Sequence, residues 1–163
     1  MRLFIAIQFN DGIIEALNEL QGDLRDQGME GHYSPAENLH LTLAFIGEYG
    51  DPEEVLDALE ESDFRPLSIS LEGVGSFGDI FWAGISENRA LMSYVKRLRK
   101  TLSDHGIPFD RKRFNPHITL VRKAVCNKGL PAVSIHKKDM LVEHVSLMRS
   151  DRGKHGMIYT EIY

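Results

Sequence analysis

Two seven-residue segments of this 163-residue chain repeat one another: Glu37-Asn38-Leu39-His40-Leu41-Thr42-Leu43 and Phe114-Asn115-Pro116-His117-Ile118-Thr119-Leu120. They begin 77 positions apart, close to half the chain length. Each alternates polar with apolar residues, which is the period of a half-buried strand. In such a strand His40 and Thr42 leave one face, while Leu39, Leu41 and Leu43 leave the other toward a core. His117 and Thr119 repeat the arrangement over Ile118 and Leu120, and Pro116 drives Asn115 into an extended conformation at the strand entry. A repeat at half the chain implies two similar lobes, each lending one motif to a shared cleft.

The remaining pattern fits that frame. Arg2 to Phe9 reads as a buried strand, and Asn10 or Asp11 caps a helix with Ile13, Ile14, Leu17, Leu20 and Leu24 on one face, ended by Gly28. Leu39 to Ile46 is a strand, Gly47 to Pro52 a turn and Glu53 to Glu61 a second helix. Leu67 to Val74 and Ile80 to Ile85 form a hairpin through a turn at Gly75 to Gly78. Asn88 to His105 is the clearest helix, burying Leu91, Tyr94, Val95, Leu98 and Leu102. His117 to Arg122, Val133 to Ile135, Val142 to Met148 and Met157 to Ile162 are the other strands, with Lys123 to Pro131 a loop. Strands mixed with helices, without a strict βαβ period, predict an α+β fold of mainly antiparallel sheets, a single domain over residues 1–163 made of two lobes.

Bulk properties narrow the function. The net charge of −5 argues against a protein that coats nucleic acid by counterion release, so any nucleic-acid contact is expected to be local. Four basic clusters exist: Lys96-Arg97-Leu98-Arg99-Lys100, Arg111-Lys112-Arg113, Arg122-Lys123 and Lys137-Lys138. The first and last read as solvated faces; the middle two flank His117. Cys126 is the only cysteine, which excludes an intrachain disulfide and a C-x-x-C site and fits a reducing cytosol. The first strand is too short to span a membrane and lacks the features of a signal peptide, so a cytoplasmic protein without a membrane partner is expected.

With seven histidines and four threonines in the chain, chance predicts only about 0.2 His-x-Thr pairs. Two occur, both in strand patterns and both two residues after an asparagine. A lone one would be read as an ordinary strand histidine; the pair carries the signal. Histidine titrates near neutral pH, so one neutral imidazole and one imidazolium on opposite sides of a phosphorus supply a base for water and an acid for the leaving oxygen. Threonine hydroxyls beside them can hydrogen-bond the non-bridging oxygens. Arg122 lies at an odd offset from His117, on the wrong face of a regular strand, yet a bulge or turn would swing it to the phosphate. Neither motif has a carboxylate or second histidine at ligand spacing, so no metal is expected, and no phosphate-binding glycine loop is present.

At these residues the chain resembles the 2H phosphoesterases, and within them the RNA 2′,3′-cyclic phosphodiesterases also called 2′-5′ RNA ligases. The resemblance spans the whole chain. It includes the Met1-Arg2-Leu3-Phe4-Ile5-Ala6-Ile7 start, Asn38 to Gly47, Gly73-Val74-Gly75-Ser76-Phe77-Gly78, Pro116 to Arg122, and Ser150 through Gly156 with Tyr159. It implies a bilobal α+β fold with outer helices and both motifs lining a central groove. It also implies cofactor-free hydrolysis to a 2′-phosphomonoester, with RNA 3′ ends or cyclic nucleotides as partners of a monomer and ligation as a side activity. Carried over by position, His40 donates the proton to the leaving 3′-oxygen, His117 activates water, and Thr42 and Thr119 hold the phosphate. The family commonly has a tryptophan shortly before the first motif, where this chain has His32-Tyr33. Tyr33 is therefore the candidate to stack on a base, a plain strand residue being the alternative.

The remaining histidines, His32, His105, His136, His144 and His155, lack a threonine partner and read as ordinary. Trp82 and Phe45 read as packing residues. Two rivals remain: a groove that binds nucleotides or RNA ends without turnover, and a 2H enzyme acting on 2′-5′ linkages or an ADP-ribose cyclic phosphate. Product analysis separates them.

Overall fold

The apolar run after Met1 becomes β1 (Arg2–Gln8), an inner strand whose two faces meet different surroundings. Leu3, Ile5 and Ile7 enter the main core, while Phe4 and Ala6 form a smaller cluster with Met148 on the opposite face. The computed structural model describes residues 1–129 and 131–163. In chain order β1 is followed by α1 (Asp11–Asp26), β2 (Met29–Tyr33), a 3₁₀ turn at Ala36–Asn38, β3 (His40–Glu48), α2 (Pro52–Glu61), β4 (Leu67–Phe77) and β5 (Ile80–Ile85). Then come α3 (Arg89–Asp104), β6 (His117–Cys126), β7 (Asp139–Val142), β8 (Ser146–Gly153) and β9 (Gly156–Glu161).

The strands form two antiparallel sheets, ordered β3-β1-β8-β9 and β2-β6-β5-β4-β7, which is the expected α+β class. One contiguous apolar core joins them, with Leu41 and Leu43 from the first sheet and Ile118 and Leu120 from the second all fully buried. The two long helices start alike. The Asn10 side chain accepts from the Ile13 N–H at 3.0 Å and the Asn88 side chain from the Leu91 N–H at 3.0 Å, each satisfying an otherwise orphaned first-turn donor.

One strand goes unannounced in the sequence, and four local expectations need correcting. β2, which precedes the first motif, has no apolar alternation to announce it; its outer residues Glu30, Gly31 and His32 are exposed. The hairpin turns at Gly78-Asp79 rather than across Gly75 to Gly78, because Gly75 stays in β4 beneath the Trp82 indole, where a Cβ would overlap the ring. Val133 to Ile135 is no strand. Just before it the Gln27 amide donates to the Ala132 carbonyl and accepts from the Ala132 N–H, both at 2.9 Å, so the chain enters this segment held by a side chain rather than a strand. Val142 to Met148 is interrupted by residues 143–145 and divides between β7 and β8. The Lys123 to Pro131 loop is shorter than expected because β6 runs on to Cys126, and Leu130 lies outside the described residues.

Candidate active site

Both motifs begin their strands. His40 opens β3 and His117 opens β6, and in each the histidine Nδ1 lies 2.7 Å from the carbonyl oxygen two residues earlier, Asn38 and Asn115 respectively. A carbonyl only accepts, so each Nδ1 carries a proton and each Nε2 is the atom free to gain or lose one. The backbone carbonyls of the two asparagines thus fix both tautomers. The Asn38 side chain acts separately from its carbonyl, donating to the Met157 carbonyl at 2.9 Å and tying the β8–β9 hairpin to the start of β3.

Three residues after each histidine the strand bulges. β1 pairs Ile5 with Ala44 and Ala6 with Thr42, leaving Leu43 without an opposite residue. β5 pairs Phe81 with Val121 and Trp82 with Thr119, leaving Leu120 in the same state. Leu43 and Ala44 are therefore both buried, as are Leu120 and Val121, and the alternation changes phase. Phe45 and Arg122, five residues beyond their histidines, consequently turn to the histidine and threonine face. Arg122 takes the place that only a bulge could give it.

Each bulge carbonyl is held by a helix from the other half of the chain. Gln21 of α1, only 3% exposed, donates to the Leu120 carbonyl at 3.1 Å and to the Ser34 carbonyl at 2.9 Å. Arg99 of α3 donates to the Leu43 carbonyl at 3.3 Å and the Lys112 carbonyl at 2.7 Å. Its guanidinium lies 5.6 Å and 5.7 Å from the Phe109 and Phe114 ring centres, and burial lowers its pKa. Arg99 thus departs from the solvated face expected of its cluster. A second irregularity in β6 follows Arg122: Lys123 has a positive φ of 52°, opposite Gly31 of β2. A Cβ on Gly31 would stand 2.7 Å from the Arg122 carbonyl oxygen, so this approach requires glycine.

The two histidines sit in unlike surroundings. His40 packs at 5.0 Å against Phe4 and edge-on at 5.2 Å against Tyr159, and its Nε2 lies 2.9 Å from Thr42 Oγ1. Burial pushes its pKa below the ordinary histidine value, and the nearby Arg122 and His117 charges push the same way against the Asn38 carbonyl. His117 stands edge-on to Phe77 at 5.1 Å with Trp82 at 6.3 Å. Trp82 is thus a half-buried neighbour of the histidine rather than a pure core residue.

Two cavities meet at His40, Arg122, Met157 and Tyr159. One, of about 250 Å³, is also lined by Tyr33, Ser34 and Thr119; the other, of about 330 Å³, by Arg2, Phe4, Thr42, Phe45 and Ser150. Tyr33 therefore faces the cleft, but its hydroxyl donates to the Met29 carbonyl at 2.7 Å and Arg25 lies 4.0 Å from its ring centre. His32 and His155, read as ordinary from sequence, also line the smaller cavity. Phe4, Tyr159 and Met157 were invisible to motif spacing because β1 and the β8–β9 hairpin deliver them from the chain's two ends. Among the described residues no group of three or more His, Cys, Asp or Glu is placed to hold a metal ion, and no helix is long and apolar enough to cross a membrane.

The chain belongs to the LigT like Phosphoesterase family, whose model matches residues 7–82 and 84–159. An RNA 2′,3′-cyclic phosphodiesterase of Thermotoga maritima is 34% identical over 100% of this chain and 94% of its own length. Another, of Archaeoglobus fulgidus, is 31% identical over 99% and 98% respectively. The fold matches the crystal structure of E. coli LigT complexed with 3′-AMP at a TM-score of 0.81, with 27% identity over 99% of this chain and 94% of that one.

Proposed function

We propose that this chain hydrolyses 2′,3′-cyclic phosphodiester ends of RNA to 2′-phosphomonoesters by acid and base catalysis between His40 and His117. The observation that supports this reading is the matched tethering of both Nδ1 atoms, which leaves each Nε2 free for proton transfer, with His117 near enough for its charge to act on His40 although it lines neither cavity. The curated relatives supply the substrate class.

In the proposed step, His117 Nε2 takes a proton from water as its oxygen attacks phosphorus. The P–O3′ bond breaks opposite the new bond, and the protonated His40 gives its Nε2 proton to the departing O3′. The product carries its phosphate on O2′. Thr42, Thr119 and Arg122 donate hydrogen bonds to the non-bridging oxygens as charge moves there. The direction, with His40 as acid, follows the family resemblance.

Because the free protein holds His40 below its ordinary pKa, the acid must gain its proton as the anion arrives. A bound anion beside His40 offsets the Arg122 charge and favours the imidazolium. Between the free and bound pKa values, binding takes up one proton, so affinity weakens as pH rises through that window. In an NMR titration His40 should titrate below the ordinary value of 6.5 in free protein and move upward in sulfate, a probe that does not itself titrate in this range. A free-protein value at or above that figure would refute the argument. The kcat/KM profile for hydrolysis should show a limb at the same lowered value.

The decisive experiment incubates the protein with a 2′,3′-cyclic-phosphate-ended oligoribonucleotide, with and without a chelator, and identifies the product. A 2′-phosphate end formed equally in both is expected. Binding without turnover would instead favour a recognition module, and turnover only of 2′-5′ linkages or ADP-ribose cyclic phosphate would reassign the substrate.

A further inference from the structure

The larger cavity contains a cation for which the hydrolytic step has no use. Arg2 stands at the start of β1 with its guanidinium 4.9 Å from the Phe45 ring centre, in a cavity that also contains His40 and Arg122. Among the described residues its side chain makes no hydrogen bond or ion pair. The neighbouring acids are committed elsewhere: Glu48, opposite Arg2 in the ladder, pairs with the Met1 ammonium at 3.3 Å, and Asp151 pairs with Arg149 at 3.0 Å. Exposed arginines without partners are common. This one stacks on a cleft aromatic that a backbone bulge has turned inward, which places it in the wall of the site.

The shape of a nucleotide gives that cation a partner. A cyclic phosphate spans O2′ and O3′ on one edge of the ribose, while the base at C1′ and the 5′ chain at C4′ diverge from the other side. A ribose whose cyclic edge faces His40 and Arg122 therefore sends two groups in different directions. The site offers two cavities that share those residues and then separate. Tyr33, with an apolar ring and a committed hydroxyl, suits a base; Arg2 suits an anion. The backbone of Phe45 also meets a basic loop, in which Arg111 lies 4.6 Å from the Phe109 ring centre. The Asp110 N–H donates to the Phe45 carbonyl at 2.8 Å and docks the loop that carries the exposed Arg111, Lys112 and Arg113.

We infer that the Arg2 and Phe45 cavity is a subsite for the internucleotide phosphate on the 5′ side of the terminal nucleotide, making the preferred substrate an oligoribonucleotide rather than a mononucleotide. The inference rests on the hydrolytic function proposed above. Arg2 binds and orients the chain while the proton transfers remain with the histidines, and the loop at Arg111 to Arg113 receives the nucleotides further along. With a net charge of −5, the protein concentrates this attraction at the cleft instead of spreading it over its surface.

The test compares kcat/KM for a mononucleoside 2′,3′-cyclic phosphate and a cyclic-phosphate-ended dinucleotide. The wild type should prefer the dinucleotide about tenfold, the worth of one charge-assisted hydrogen bond. Arg2→Gln should bring that ratio close to one, and replacing the internucleotide phosphate with a neutral methylphosphonate should do the same to the wild type. Combining the two changes should add little, since both remove one contact. Equal losses on both substrates in Arg2→Gln, or strict additivity with the methylphosphonate, would overturn the subsite while leaving the hydrolytic reading intact. Turnover of neither substrate by the wild type would overturn both.

Discussion

Replacing either His40 or His117 with alanine is expected to lower hydrolysis of cyclic-phosphate-ended RNA by at least about 10²-fold, the usual worth of a positioned general acid or base. In the proposed step each position supplies one of two transfers that a single turnover needs. The double variant should accordingly lose little more than the worse single one. Neither side chain is fully buried, and each strand is anchored by its inward leucines and isoleucine, so the variants should melt close to the wild type. Initial rates and a thermal melt on each variant check both statements. A variant within tenfold of wild type would remove that histidine from the mechanism.

The second large effect concerns the bulges. Gln21→Leu should leave the Ser34 carbonyl without its side-chain donor and weaken the hold on Leu120, and Arg99→Met should release the Leu43 and Lys112 carbonyls. Leaving partly buried acceptors unpaired costs up to about 1–3 kcal/mol, the exposed Lys112 carbonyl contributing least. In a chain of this size that corresponds to a melting temperature lower by roughly 3–10 °C. Activity should fall further than the loss of folded protein explains, because the freed bulges govern where Arg122 and Phe45 point. Measuring rates well below the melting temperature separates the effects. A wild-type melt and rate in either variant would show that the bulge stands without its clamp.

The core was legible because it is periodic: Leu91, Tyr94, Val95, Leu98 and Leu102 mark α3, and the leucines around His40 and Thr42 mark β3. The heart of the site was legible for the same reason, since a strand's alternation places histidine and threonine together. Arg122 required knowledge that alternation alone does not contain. The phase change at Leu120 is a three-dimensional event, visible in sequence only as an arginine on the apparently wrong face. Phe45, read as packing, does pack against the Phe4 and Met148 cluster, but the same phase change also brings it to the cavity wall. Tyr33 could be named only through resemblance, because β2 has no periodic signature. Arg99 was hidden among basic neighbours; nothing in its local sequence tells a clamp from a solvated charge. Val133 to Ile135 shows the opposite failure, with correct alternation but no strand pairing.

The crossed clamps also bear on how such a chain can change over generations. Gln21 steadies a turn of backbone encoded about a hundred positions later, and Arg99 steadies one encoded well before it. A duplicated half would begin with both partners alike, yet here one clamp is an amide and the other a guanidinium. The two halves thus meet one structural need with unlike side chains, each serving its counterpart's site. Exchange of one half for a distant homologue's would bring a clamp fitted to a different bulge, so the unit that selection inherits is the pair.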